Sequence, residues 1–554
     1  MLETSRPPGA GLVPALALAL ALATPPVRAK PPPTAGASAP AAAAALAAPM
    51  SPPGAHAAAA PFRLEPCRLR GVPTEVLCGW LPRPLDPAAP QGTQIRLRVA
   101  VLPALARHKR PDPVVLLAGG PGQSAIGLAD VVLERHRRLN QRRDIVLVDQ
   151  RGTGESAPLT CPDERHLPMA EQLDEAAGLR RLAACREALE QLPHGDLRHY
   201  TTPVAMQDLD AVRQALGVAR WNVIGASYGT RAGLDYLRQF PGSVRRAVLD
   251  GLAPPDMVLP ASFSTDSQAA LDALLAACAA EPGCERQFPQ LAAQWRRLVE
   301  SLPRRVELRH PMTGRRETVT LTRTHLLRAV RAPLYVPALA SALPAAIAAA
   351  AGGEFDALGA LAGALGGDRP GQRLAVGMHH AVVCSEDLPR LGGVGSDPPG
   401  RDYATLDRTH YQAACTGWPR ATVPAAFYSL PAAPVPVLLL SGGADPATPP
   451  RHGERVARAL GAQARHVVVP AAGHGVLSLP CMRRAAHEFL DAETDAQALK
   501  LPMDCARDTP RPLAYVPPDP ARPAGAASAS AATRETSAAT PSTAAASGPK
   551  EGAR

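Results

Sequence analysis

The sequence predicts an α/β fold: a mostly parallel central sheet covered by helices, with a large, mainly helical cap inserted before the last strands. Three observations carry this expectation. Short continuous apolar runs recur at 114–118, 145–148, 221–224, 247–249, 435–440 and 466–469. A strand that is apolar throughout is buried on both faces, which means a parallel sheet between helical layers. Helical stretches lie between these runs, and about 185 residues separate the run near 249 from the run near 435. A crossover needs only about a dozen residues, so this stretch forms a separate unit.

Along the chain, residues 95–101 (IRLRVAV) alternate and read as a half-buried strand, antiparallel and near a sheet edge. Residues 205–217 carry Met206, Leu209, Val212 and Leu216 on one helical stripe and stop at Gly217, just before the run at Trp221. Within the cap, 272–280, 291–301 and 338–351 read as helices, and 306–308 with 318–321 as a small hairpin across Met312-Thr313-Gly314.

The ends differ in kind. Arg6, the apolar stretch 11–23 and Val27-Arg28-Ala29 read as a secretory signal over residues 1–29, cleaved after Ala29. That run is short of the roughly 20 residues that span a bilayer, and 332–351 is broken by Pro333, Pro337 and Pro344, so no membrane span is expected. Residues 30–60 (Ala and Pro) and 516–554 (Ala, Ser, Thr, Pro and Gly) have little to bury and read as disordered. The folded part divides into a first core segment at 61–255, the cap at 256–430 and a second core segment at 431–515.

Composition narrows the function classes. With 46% hydrophobic residues the chain is not disordered wholesale, and its 62 Pro and 45 Gly show no collagen period. The net charge is +10, and the positive charge is nearly all arginine, with lysine only at 30, 109, 500 and 550. The arginines are scattered instead of forming the basic face that nucleic acid requires, and Arg135–Arg138 with Arg142–Arg143 read as the solvated side of a helix. Ten cysteines in an exported chain read as disulfides. Short separations suggest Cys67–Cys78, Cys161–Cys185, Cys278–Cys284, Cys384–Cys415 and Cys481–Cys505. No cysteine or histidine spacing suits zinc, and neither metal nor cofactor is expected.

Gly225-Ala226-Ser227-Tyr228-Gly229 follows a strand and precedes a helix, the setting of a nucleophile elbow. Small residues two before and two after the serine allow a tight turn that lifts its hydroxyl clear of the sheet. A serine needs an imidazole to take its proton, and the imidazole needs a carboxylate to hold its tautomer. Asp445 follows the run 435–440 and His474 follows the run ending at Val469, whereas His452 and His466 fall in a helix start and a strand. The order Ser227, Asp445, His474 is that of α/β-hydrolases. The amide of Tyr228 and a second from Gly119-Gly120-Pro121-Gly122, taken as Gly120, would hold the oxyanion.

The motifs 116–124 (LLAGGPGQS), 149–154 (DQRGTG), 225–230 (GASYGT), 384–387 (CSED) and 414–419 (ACTGWP), with Asp445 and Gly473-His474-Gly475, resemble the series of the tripeptidyl aminopeptidase and proline iminopeptidase family of serine peptidases, over about Cys67 to Cys505. The resemblance implies hydrolysis from a free peptide N-terminus, with Glu386 binding the terminal ammonium. Ala118 stands where the family often has a polar residue, and Gln123 where a glycine is common, which would crowd the subsite near the scissile bond.

The chain is thus expected to be a secreted or periplasmic serine aminopeptidase that releases single residues or short peptides through an acyl-enzyme, with a peptide substrate and no nucleic-acid partner. The same machinery could serve an esterase or amidase acting on small acyl substrates. The remaining alternative is an inactive, envelope-associated binding protein.

Overall fold

The structure, a computed structural model, describes residues 62–365, 373–393, 400–430 and 432–517. The expected signal segment, the Ala/Pro stretch 30–60 and nearly all of the C-terminal tail lie outside the described residues.

Eleven strands are described: β1 (Glu65–Cys67), β2 (Val76–Pro84), β3 (Gln94–Leu102), β4 (Val114–Leu117), β5 (Ile145–Val148), β6 (Trp221–Ala226), β7 (Val244–Asp250), β8 (Arg304–Arg309), β9 (Arg316–Leu321), β10 (Val437–Gly442) and β11 (Ala464–Val469). Nine form one sheet in the order β1-β2-β3-β5-β4-β6-β7-β10-β11. The pairs β1/β2, β2/β3 and β3/β5 are antiparallel; from β5 to β11 every pair is parallel. The parallel strands contain the continuous apolar runs; burial on both faces explains those of β5, β6 and β10, whereas β11, at the edge, is mostly half-buried. In β10, Val437 and Leu439 join the core on one face, Leu438 and Leu440 the core on the other.

The alternating strand at 95–101 is antiparallel to both neighbours but lies third from the edge, because β1 and β2 extend the sheet beyond it. Sequence reading missed β2, whose Gly79, Pro82 and Pro84 interrupt any apolar pattern. One surface assignment is corrected. Arg143 is fully buried, not solvated, and its guanidinium joins Asp112 and Asp491.

The insert between β7 and β10 is mostly helical and has its own apolar core, including Trp295, Leu326, Leu343 and Tyr403. Strands β8 and β9 pair as the expected hairpin. The helix expected at 272–280 starts earlier, at Leu259, because its first half buries Ser262, Ser264, Asp266 and Ser267 in place of apolar residues. The helix expected at 338–351 is two, Pro337–Ala340 and Leu343–Ala351. All five cysteine pairs form as their short separations suggest. Among the described residues, no helix is long and apolar enough to cross a membrane.

Candidate active site

Strands β4 and β6 are neighbours, and the chain leaves β4 for β5 on one side before returning to β6 on the other. The loops after β4 and β6 therefore open at the point where strand order reverses, where open α/β sheets bind ligands. The first loop is Gly119–Gly122; the second is the turn at Ser227.

Ser227 has φ +55° and ψ −123°, a conformation that a non-glycine residue rarely adopts, and caps the helix Tyr228–Gln239. The flanking glycines are needed for contact reasons. A Cβ at Gly225 would collide with the Gly229 carbonyl, and one at Gly229 with the Leu117 carbonyl of β4. Tyr228 opens the helix, so its amide has no partner one turn back and is available to an anion.

Asp445 and His474 come from the loops after β10 and β11. His474 Nδ1 lies 2.8 Å from Asp445 Oδ2. Asp445 Oδ1 accepts from the amides of Ala447 at 2.8 Å and Thr448 at 2.9 Å, and Oδ2 from the Thr448 hydroxyl at 2.7 Å. Burial disfavours the aspartate's charge, but His474 and these donors outweigh it and hold the carboxyl below its usual range. Burial also disfavours protonation of His474, yet Asp445 outweighs it and raises the imidazole above its ordinary value. Asp445 and the Thr448 hydroxyl, at 3.1 Å, both meet the ring at Nδ1.

The C-terminal end of β7 joins histidine to serine. The Ser227 amide donates to the Asp250 carbonyl at 2.9 Å, and a Cβ on the next residue, Gly251, would stand 3.3 Å from His474 Cε1. At φ +71°, and with the ring against it, Gly251 suits no larger residue. Asp250 holds the histidine loop by accepting the amides of Val476 at 2.9 Å and Leu477 at 2.8 Å; burial pushes its own pKa up to about 6. From the insert, the Tyr335 carbonyl accepts the His474 amide at 2.9 Å, and its ring meets the imidazole edge-on at 5.1 Å.

Ser227, Asp445 and His474 thus lie in loops at one end of the sheet; Tyr228 follows Ser227, and the loop that holds Gly120 meets the serine turn through Gly119, where a Cβ would stand 3.3 Å from Ser227 Cβ. His452 and His466 are elsewhere, bonded to Asp266 at 2.8 Å and to the Ser441 hydroxyl at 2.9 Å. Gln123 lines the cavity at the loop together with Gly119, Gly122 and Tyr228. Its Oε1 turns back to accept the Gly119 amide at 3.1 Å, anchoring the loop where Ala118 supplies no polar group. Thr448, Asp250 and Tyr335 were missed. Thr448, three residues after Asp445, had a visible turn signal; the other two act through tertiary contacts.

Glu386 lies in a π-helical turn, Val383–Asp387, and is fully buried. Its carboxylate accepts the Thr202 amide at 2.6 Å, the Thr202 hydroxyl at 3.1 Å and Arg231 at 3.3 Å. Thr202 Oγ1 in turn lies 2.7 Å from the Tyr228 hydroxyl. Asp387 takes Arg231 with both oxygens at 3.0 Å. Two carboxyl groups share one guanidinium, and burial pushes Glu386 up to about 7 against the pull of Arg231 and Thr202. Among the described residues, no group of three or more His, Cys, Asp or Glu could hold a metal.

Comparison with known proteins agrees with this geometry. Residues 112–326 match the alpha/beta hydrolase fold family, and residues 403–498 the TAP-like protein family. The chain is 34% identical over 218 residues to the tripeptidyl aminopeptidase of Streptomyces lividans, covering 36% of this chain and 40% of that protein. It is 32% identical over 211 residues to the serine protease Hip1 of Mycobacterium tuberculosis, covering 35% and 40%. To a probable proline iminopeptidase of Streptomyces coelicolor it is 35% identical over 141 residues, covering 26% and 33%. The matched stretches thus span two fifths or less of each of these relatives. Sheet order, elbow geometry and these matches together identify the chain as an α/β-hydrolase similar to the tripeptidyl aminopeptidase and proline iminopeptidase group.

Proposed function

We propose that the protein is an exported serine aminopeptidase that releases single residues or short peptides from free N-termini. One observation supports the reading: His474 Nδ1 lies 2.8 Å from Asp445 Oδ2 at the same end of the sheet as the Ser227 turn, with the Asp250–Gly251 end of β7 between them. In this reading His474 Nε2 takes the Ser227 proton, and Asp445 holds the tautomer and stabilises the imidazolium. The amides of Tyr228 and Gly120 bind the oxyanion, and His474 returns the proton to the leaving amine. The insert, residues 256–430, acts as a cap over the site, and the five disulfides suit export to an oxidising compartment.

The free N-terminus would be recognised by Glu386. One guanidinium between two buried carboxyl groups leaves the network short of one positive charge, which a substrate ammonium supplies. A panel of aminoacyl, tripeptidyl, N-acetylated and simple ester chromogenic substrates tests this. Glu386→Gln is expected to lower kcat/KM for free-amine peptides by about 10- to 150-fold and to spare a neutral ester, the loss of one charge-assisted bond. Equal losses on both would make Glu386 structural. The full burial of Glu386 favours a second reading, an esterase or amidase with no free-amine requirement. Efficient cleavage of N-acetylated peptides would establish it.

The pH profile follows from the histidine. His474 must be neutral to accept a proton, so activity rises as pH passes through its pKa. Because Asp445 outweighs burial and raises that pKa, the midpoint should lie above the ordinary imidazole value of about 6.5. In Asp445→Asn the surviving activity should reach its midpoint at lower pH; an unmoved midpoint would separate the titration from this pair.

A further inference from the structure

The glycine loop after β4 is gripped from the insert. The Ala375 amide donates to the Gly122 carbonyl at 2.9 Å, and a Cβ on Gly122 would come 2.9 Å from the Ala375 carbonyl. Ala375 caps the helix Val376–Val382, and one turn on, His379 lies half-buried between the loop and a second insert helix, Leu406–Ala414. Its Nδ1 is 3.2 Å from the Pro121 carbonyl oxygen and its Nε2 is 2.8 Å from the Tyr411 hydroxyl.

These partners determine the proton's place. A carbonyl only accepts, so Nδ1 carries the hydrogen; Nε2 is then bare and accepts from the Tyr411 O–H. Burial holds the imidazole well below its ordinary value, at about 4, although the bond to Pro121 works the other way. The ring is therefore neutral, with one tautomer, across the range in which His474 would act.

We propose that His379 is a positioning residue for the oxyanion hole, fixing the Gly119–Gly122 loop through the Pro121 carbonyl so that the Gly120 amide faces the reacting acyl group. The inference rests on the reading of Ser227 as nucleophile. Glycines leave this loop free to adopt many backbone conformations, and an oxyanion donor acts only when it is already in place. Gln123 secures the Gly119 amide and Ala375 the Gly122 carbonyl; His379 is the side chain that secures the peptide between them. The carbonyl it holds belongs to the residue immediately after Gly120.

Because the oxyanion forms with every acyl substrate, His379→Ala should lower kcat for a peptide and an ester alike, by about 10- to 100-fold, with KM moving less than about threefold. His379→Asn places an amide N–H near the Nδ1 position and should recover most of the rate. His379→Gln places it too far along and should not. Tyr411→Phe leaves Nδ1–H in place and should stay within about threefold of wild type. Labelling by a serine-directed phosphonate, whose anionic oxygen uses the same donors, should slow in parallel. Wild-type kcat in His379→Ala, a loss confined to KM, or equal rates for the Asn and Gln variants would overturn the proposal. The Asn and Gln contrast decides it even if the alanine variant does not fold. Failure of the phosphonate to label wild-type Ser227 would instead overturn the nucleophile assignment.

Discussion

Ser227→Ala should leave a folded protein whose turnover is lower by about 10⁴-fold or more. The size follows from the proposed mechanism, in which without the hydroxyl no acyl-enzyme forms and the His474–Asp445 pair has nothing to activate. The fold should survive. The turn is held by the Ser227 amide on Asp250 and by close packing of Gly225 and Gly229, none of which uses the hydroxyl. Steady-state kinetics with circular dichroism as the folding control checks this, and a phosphonate should label the wild type once, at Ser227. Near-wild-type turnover in the variant, or labelling at another residue, would remove Ser227 from the mechanism.

Arg231→Met should destabilise the protein by about 3 to 5 kcal/mol, the usual cost of removing one partner from a buried ion pair. Arg231 is fully buried on the helix that Ser227 caps, and bonds Asp387 twice, Glu386 once and the Met257 carbonyl at 3.0 Å. Methionine fills much of the volume but leaves two buried carboxyl groups facing each other. The loss should depend on pH with a definite sign. Glu386 already has a raised pKa, near 7, and losing the guanidinium raises it further. Its ionisation then costs folding free energy as pH rises, so the variant should be weakest relative to wild type at pH 8 and closer to it at pH 5. Denaturant titration at both values measures this; a loss below about 1 kcal/mol at pH 8 would mean the network does not hold the insert to the elbow helix.

Much of this protein was decided by local sequence. The inner parallel strands were legible because burial on both faces leaves continuous apolar runs, and Ser227, Asp445 and His474 because each follows an apolar run within a distinctive turn. The disulfide pairs followed from short separations, which keep partners close in any compact fold. What local sequence could not decide lies in contacts between distant segments. Asp250 reads as the end of a strand, yet it holds the histidine loop 226 residues away. Arg143 sits in an arginine-rich surface pattern and is buried only because Asp112 and Asp491 come to meet it. His379 carries no motif, and its reach to the glycine loop exists only because the insert folds back over the sheet's end. Periodicity and turn chemistry report what a residue does to its neighbours in the chain. Which buried charge finds a partner, and which carbonyl a histidine reaches, depends on packing between segments far apart in sequence, and the tertiary structure alone decides that.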